Sequence, residues 1–328
     1  MGRWRNSFRG RRVMVTLAAG SVAAIAATMF GASAAAAPGG ARPGSGHLTG
    51  PAAVPAAAAE TVTVTSHFLW RPVPDSLSGD STFIDNGATN GHQKALLFVT
   101  PNLTPGGISP CPCLVSAIPP IGIWYENGQW AIFNEDSSDM GTLFAYNVLV
   151  VPKAGASAFT VQAKAGTVHG DYVIINSPAT NNNPDAALQV TQNYQPSAVF
   201  NAHPIGVKYF KVRRRWAIFN EDGHAMPHGA AFNVLVGGAA SNGGKTQVFK
   251  ATAANHLEAA FVISNKATTG NPNGVVFATP DYNPGDKGGT TDAGNLVTGY
   301  SGTKAFLINW GGPAIPVGAS FNLLVFPS

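Results

Sequence analysis

The chain has 328 residues with 20 Lys and Arg against 16 Asp and Glu, a formal charge of +4 and a pI of about 9.1. Five of the bases, Arg3, Arg5, Arg9, Arg11 and Arg12, lie in the N-terminal head, so the remainder sets 15 bases against 16 acids. A near-neutral remainder has no long-range field for phosphate backbones or anionic membranes, and nucleic acid is not an expected partner.

That head opens an export signal over residues 1–34. An almost uncharged stretch from Val13 to Phe30 follows it, and Ala32-Ser33-Ala34 supplies a small-x-small cleavage site. The general secretory route is expected over the twin-arginine route, because Gly10 stands where Ser or Thr is usual and Met14 replaces the customary Phe. An uncleaved anchor is the alternative, since the apolar run is close to the minimum of about 18 residues for a spanning helix. Cleavage leaves a secreted chain with no membrane span. Residues 35–60 are Ala, Pro, Gly and Ser with almost no charge, a composition that cannot bury a core and reads as a linker.

Beyond the linker the text repeats. Six asparagines, Asn86, Asn134, Asn176, Asn220, Asn265 and Asn309, each close a short apolar run at intervals of 48, 42, 44, 45 and 44 residues. WAIFNED occurs at Trp130 to Asp136 and again at Trp216 to Asp222, with KAFLINW at Lys304 to Trp310 as a third version. The units are 61–152, 158–237 and 246–327, each divisible into two similar halves. Runs rich in Val, Ile, Phe and Tyr alternate with Gly, Pro, Asn and Asp clusters, and no helical period persists past the signal. The expected fold is therefore all-β: three tandem modules of about 88 residues, each a sandwich or barrel of two three-stranded halves, with a six-bladed ring as the alternative.

The six asparagines are expected to form Asx-turns in the left-handed region. Asn147, Asn233 and Asn322 are different, because they interrupt the runs YNVLV, FNVLV and FNLLV where Asn is disfavoured. An unpaired amide there costs about 1–3 kcal/mol, so each is expected to satisfy a buried backbone group.

Chemistry-bearing motifs are sparse. Cys111 and Cys113 form a Cys-Pro-Cys pair that admits a strained disulfide or a soft-metal site. His224 and His228 have no counterparts in the other units and read as loop decoration. Asp136 and Asp139 in the first acidic corner, and Glu221 and Asp222 in the second, are oxygen-rich enough for weak calcium binding, though solvated turns are the default. The Lys208 to Arg215 basic cluster reads as a hairpin tip. Zinc-protease, nucleophile-elbow and phosphate-loop patterns are absent, so no catalytic residue is assigned, no cofactor beyond weak calcium is expected, and an enzyme is disfavoured. Trp70, Trp124, Tyr194, Tyr282 and Trp310 lie near turns, where exposed aromatic faces beside Asn and Asp suit sugar rings.

Through these motifs the chain resembles a group of uncharacterised exported bacterial repeat domains that share W-A-I-F-N-x-D followed by M-P-x-G-A-A-F-N-V-L-V. The second unit matches closely, the first departs at Ser137 to Thr142, and the third lacks the acids. The resemblance implies repeat boundaries and export and brings no activity. The functional expectation is an extracellular binding or adhesion module for a polysaccharide or cell-surface component. An envelope or spore-surface structural protein is second, and a secreted hydrolase with an unrecognised site is third. Nothing in the sequence sets the oligomeric state.

Overall fold

A computed structural model of the chain describes residues 63–64, 66–107, 118–237 and 243–327. The export signal, the linker and the Cys111 and Cys113 pair lie outside the described residues. No described helix is long and apolar enough to cross a membrane.

Module 1 carries β1 (Ser66–Trp70), β2 (Leu77–Ser78), β3 (Ser81–Phe83), β4 (Leu96–Asn102), β5 (Ile121–Glu126), β6 (Gln129–Asn134) and β7 (Ala145–Val151). Module 2 repeats the series as β8 (Ala158–Gln162), β9 (Val168–His169), β10 (Tyr172–Ile174), β11 (Leu188–Asn193), β12 (Ile205–Phe210), β13 (Arg215–Asn220) and β14 (Ala231–Val236). Module 3 does so as β15 (Lys245–Lys250), β16 (His256–Leu257), β17 (Ala260–Ile263), β18 (Val275–Pro280), β19 (Leu296–Ser301), β20 (Lys304–Asn309) and β21 (Ser320–Phe326).

Each module is an antiparallel β-sandwich. In module 1 one sheet runs β1-β7-β4 and the other β2-β3-β6-β5, and modules 2 and 3 follow the same order. Leu97, Val99, Val148 and Val150 from the first sheet pack on Ile123, Trp130 and Ile132 from the second. Alternation explains the two faces: neighbours along a strand point to opposite sides, so every second residue enters the core. The sequence halves do not coincide with the sheets, because the first four strands divide between both.

The modules then close on one another. β5 pairs in parallel with β11, with Gln192 opposite Gly122. β19 pairs in parallel with β4 at Thr298 and Asn102. A parallel bridge between Val207 and Asp281 makes the third join. Module 1 thus meets module 2, module 2 meets module 3 and module 3 returns to module 1, in a ring of three sandwiches. Closure runs module to module, and the six halves do not form six blades.

At the centre of the ring β4, β11 and β18 exchange one contact cyclically. The Val99 N–H donates to Thr191 Oγ1 at 3.0 Å, Val190 N–H to Thr279 Oγ1 at 3.0 Å, and Ala278 N–H to Thr100 Oγ1 at 3.3 Å. A separate apolar cluster joins Phe98 and Leu149, Leu235, and Phe277, Leu324 and Phe326 from the three modules. The last strand of each module is therefore covered on both faces, which is why YNVLV, FNVLV and FNLLV are apolar almost throughout.

The asparagines within those runs act as clasps. Asn147 Nδ2 donates to Val276 O at 2.8 Å, Asn233 Nδ2 to Leu97 O at 3.2 Å, and Asn322 Nδ2 to Leu188 O at 3.4 Å, each on a strand of another module. One structural task is done three times, as the recurrence implied. Thr279→Val keeps the shape but leaves the Val190 N–H without its acceptor, so urea denaturation should show a loss of about 1–3 kcal/mol. An unchanged midpoint would remove this contact from the account of ring closure.

The six turn asparagines divide three ways, with Asn176 alone in accepting from the Asn181 side-chain amide, at 3.0 Å. Asn86 and Asn265 accept from the N–H two residues on, as Asx-turns. Asn134, Asn220 and Asn309 instead donate to the carbonyl four residues on. None of the six has a positive φ; Ser137 and Gly223 take the left-handed conformation later in two of these turns.

Candidate functional site

The outer face of the sheet containing β5 and β6 lies under the stretch of module 2 that follows β11. Ile123 points into the core, so Trp124 points outward, and Phe133 on β6 shares that outward face through the pairing of Gly122 with Phe133. The module 2 stretch is pinned by Tyr194 N–H to Ile123 O at 2.9 Å and Gln195 Nε2 to Tyr125 O at 2.8 Å. A cavity of about 190 Å³ remains between them, lined by Asp80, Ser81, Trp124, Phe133, Tyr194 and Phe200.

The lining is aromatic with one polar side. Tyr194 meets Trp124 edge-on at 6.5 Å, Phe133 at 5.6 Å and Phe200 at 5.0 Å. Phe200 is 40% exposed, which opens the cavity to solvent. Trp124 Nε1 is buried with no hydrogen-bond partner, a donor that is costly to leave unmade. Across from the rings, Asp80 Oδ1 accepts from the Ser81 hydroxyl at 2.8 Å.

At the two other junctions the space equivalent to this cavity is filled. Tyr282 takes the position of Tyr194, its N–H on Val207 O at 2.9 Å, and Lys208 takes that of Trp124. The Lys208 ammonium lies 4.4 Å from the Phe219 ring centre and 4.7 Å from that of Tyr172, and it pairs with Asp171 at 3.2 Å. At the third junction Leu103 replaces the tyrosine and Gly299 replaces the tryptophan. A Cβ on Gly299 would come 2.2 Å from the Phe306 ring, so phenylalanine fills that space.

The acidic corners turn inward, one at this junction and one at the junction of modules 2 and 3. Glu135 is buried and its Oε2 accepts from the Asn201 N–H at 2.9 Å, while Glu221 Oε2 accepts from the Asp292 N–H at 3.0 Å. Gly122 and Gly206 make the room, since a Cβ would come within 2.3 Å and 1.9 Å of those carboxylates. Burial pushes Glu135 up to about 7, helped by nearby Asp80 and opposed by the Asn201 N–H. Burial pushes Glu221 up to about 8 and Asp292 up to about 6. In module 3 Trp310 follows the turn asparagine in place of the glutamate and meets Phe144 at 6.5 Å.

Of the five aromatic residues singled out in the sequence, only Trp124 and Tyr194 meet in the cavity. Tyr282 packs edge-on against Phe219 at 6.2 Å. Trp70 donates to Thr82 Oγ1 at 3.1 Å, and both it and Trp310 pack against the module 1 core. In the two acidic corners Asp136 and Asp139 are exposed, Asp136 accepts from Ser138, and Glu221 and Asp222 face different partners. Asp80, Ser81, Phe133 and Phe200 complete the lining. Phe133 sits in the same repeated run as Trp130, and only the register separates its face from the core face.

A family model described as a domain of unknown function (DUF7452) matches the chain three times, at residues 53–150, 122–236 and 206–325. Successive matches share 122–150 and 206–236, the stretches of β5 to β7 and β12 to β14. No curated protein matches the chain.

Proposed function

We propose that this chain, which belongs to the DUF7452 family, is an exported binding protein that receives a saccharide ring in the cavity between modules 1 and 2. The unpartnered Trp124 N–H within an aromatic lining carries this reading. A sugar presents an apolar face to stack on rings and a rim of hydroxyls, and here the indole N–H donates to one hydroxyl while Asp80 accepts from another. The cavity falls below the roughly 300–1,000 Å³ of sites for larger ligands, so it suits one ring at the end of a glycan.

Binding uses one site. Lys208 and Phe306 fill the equivalent spaces at the other two junctions, so three equivalent sites do not supply avidity. Glycan-array binding by the purified chain, followed by calorimetry on the best saccharide, tests the reading. Trp124→Ala is expected to weaken binding at least about tenfold, an effect of about 1.4 kcal/mol, whereas Tyr282→Ala at a filled junction leaves it unchanged. Failure to retain any saccharide, together with assembly into large particles, would transfer the reading to an envelope structural protein.

A further inference from the structure

Module 2 has a second polar feature, away from the aromatic cavity. His203 stands two residues before β12, and Asp222 and His224 lie in the turn after β13. His203 Nδ1 is 2.7 Å and His224 Nδ1 is 3.2 Å from the same Asp222 oxygen. The two imidazoles stack at 4.7 Å with 13° between their planes, and all three donor atoms lie within 4.8 Å of one another.

We propose that His203, Asp222 and His224 form a zinc-binding site. Zinc takes imidazole nitrogen at about 2.0–2.1 Å and carboxylate oxygen at about 2.0–2.2 Å, so tetrahedral ligands stand roughly 3.4 Å apart. Both histidine nitrogens sit near that spacing from the Asp222 oxygen, at 2.7 and 3.2 Å, and His224, the most exposed of the three, leaves a fourth position for water. Two imidazoles and one carboxylate select a transition metal; calcium and magnesium require more oxygen donors than this set provides.

The set is held in place by the backbone. The His224 N–H donates to Asp222 Oδ1 at 3.2 Å, Asn220 Nδ2 donates to His224 O at 3.1 Å, and the His203 N–H donates to Asn201 O at 2.7 Å.

The other modules serve as internal controls. Module 1 builds the same turn, with the Ser138 N–H on Asp136 Oδ1 at 3.0 Å, yet it has Ser138 and Pro119 where module 2 has the two histidines. Module 3 has Gly294, Gly311 and Pro313 at the three positions. The turn does not need these side chains, and the one module that has either histidine has both, on separate loops facing one carboxylate.

Calorimetry with zinc chloride on the chain without a polyhistidine tag tests the site. One zinc per chain is expected, with affinity reduced at least about tenfold in His203→Ala, Asp222→Asn and His224→Ala, and unchanged in His228→Ala. Copper(II) paramagnetic resonance on the unmutated chain gives an independent reading, expected to show nitrogen coupling from two imidazoles. No zinc uptake by the parent, equal affinity in the three variants, or a copper spectrum without two nitrogens would overturn the site. Saccharide binding by Trp124 can fail without affecting any of these outcomes.

Discussion

Raising the pH from 5 to 9 is expected to destabilise the folded chain, and Glu221→Gln should remove a large part of that loss. The folded pKa values of Glu135, Glu221, Asp281 and Asp292 are raised to about 7, 8, 7 and 6, in each case chiefly by burial. Unfolded carboxyls titrate near 4, so across the intervening pH range the folded state holds more protons than the unfolded state. Stability must then fall as pH rises. The contribution is fully present below the unfolded pKa and is lost progressively from there until pH has passed the folded values of about 6 to 8. Above that, ionised Glu221 faces ionised Asp292 at the junction of modules 2 and 3, with Lys208 as the compensating charge. Glutamine keeps an oxygen to accept the Asp292 N–H and carries no charge. At pH 9 the variant should be more stable than the parent by on the order of 3 kcal/mol, or about 6–12 °C in melting temperature for a body of this size. At pH 4, near the unfolded carboxyl pKa, the two should melt together. A parent melting temperature that is flat or rises from pH 5 to 9 would show that these carboxyls are better solvated than their packing implies.

Those same carboxyls mark where sequence reasoning stopped. Glu135 and Glu221 follow a strand and precede Asp and Ser or Gly, the pattern of a solvated turn, and locally nothing distinguishes them from Asp136. What buries them is the next module, whose loop supplies Asn201 or Asp292 from 66 or 71 residues away. Local pattern was sufficient for the strands, because alternation and double-sided apolar runs are properties of a single segment. It also exposed Asn147, Asn233 and Asn322, since a polar residue inside such a run has few physical excuses. Module closure is different, because the parallel joins of β5 with β11 and β19 with β4 involve backbone groups that leave no signature in side-chain order. The cavity depends on that closure. Trp124 and Tyr194 were legible as separate candidates, but their meeting, the polar side at Asp80 and the mouth at Phe200 follow from the register between modules. His203 was silent for the same reason: Asp222 is 19 residues distant, across the hairpin of β12 and β13.

The ring also decides what counts as a folding unit, which gives the prediction with the largest consequence. A fragment of residues 243–327 contains every strand of module 3 and its own sandwich core, so on sequence grounds it is a complete domain. In the ring, however, Phe277, Leu324 and Phe326 are at most 1% exposed because they face the other two modules through the central cluster. Cutting the module free returns all three to water at about 1.5–3 kcal/mol each, a total of about 6 kcal/mol. That is comparable to the entire stability of a small domain, about 5–15 kcal/mol, and the fragment is too short to compensate with a larger core. It should therefore lack a cooperative monomeric melt. The fragment retains both joining edges, β18 and β19, and the rotation that relates successive modules closes after three steps. Head-to-tail pairing of three copies can thus rebuild the ring as a trimer, the closed form of a heterologous contact. Sedimentation with circular dichroism should find either an unfolded chain or a folded trimer. A folded monomer melting near the parent would mean that the central cluster stabilises little and that each sandwich stands alone.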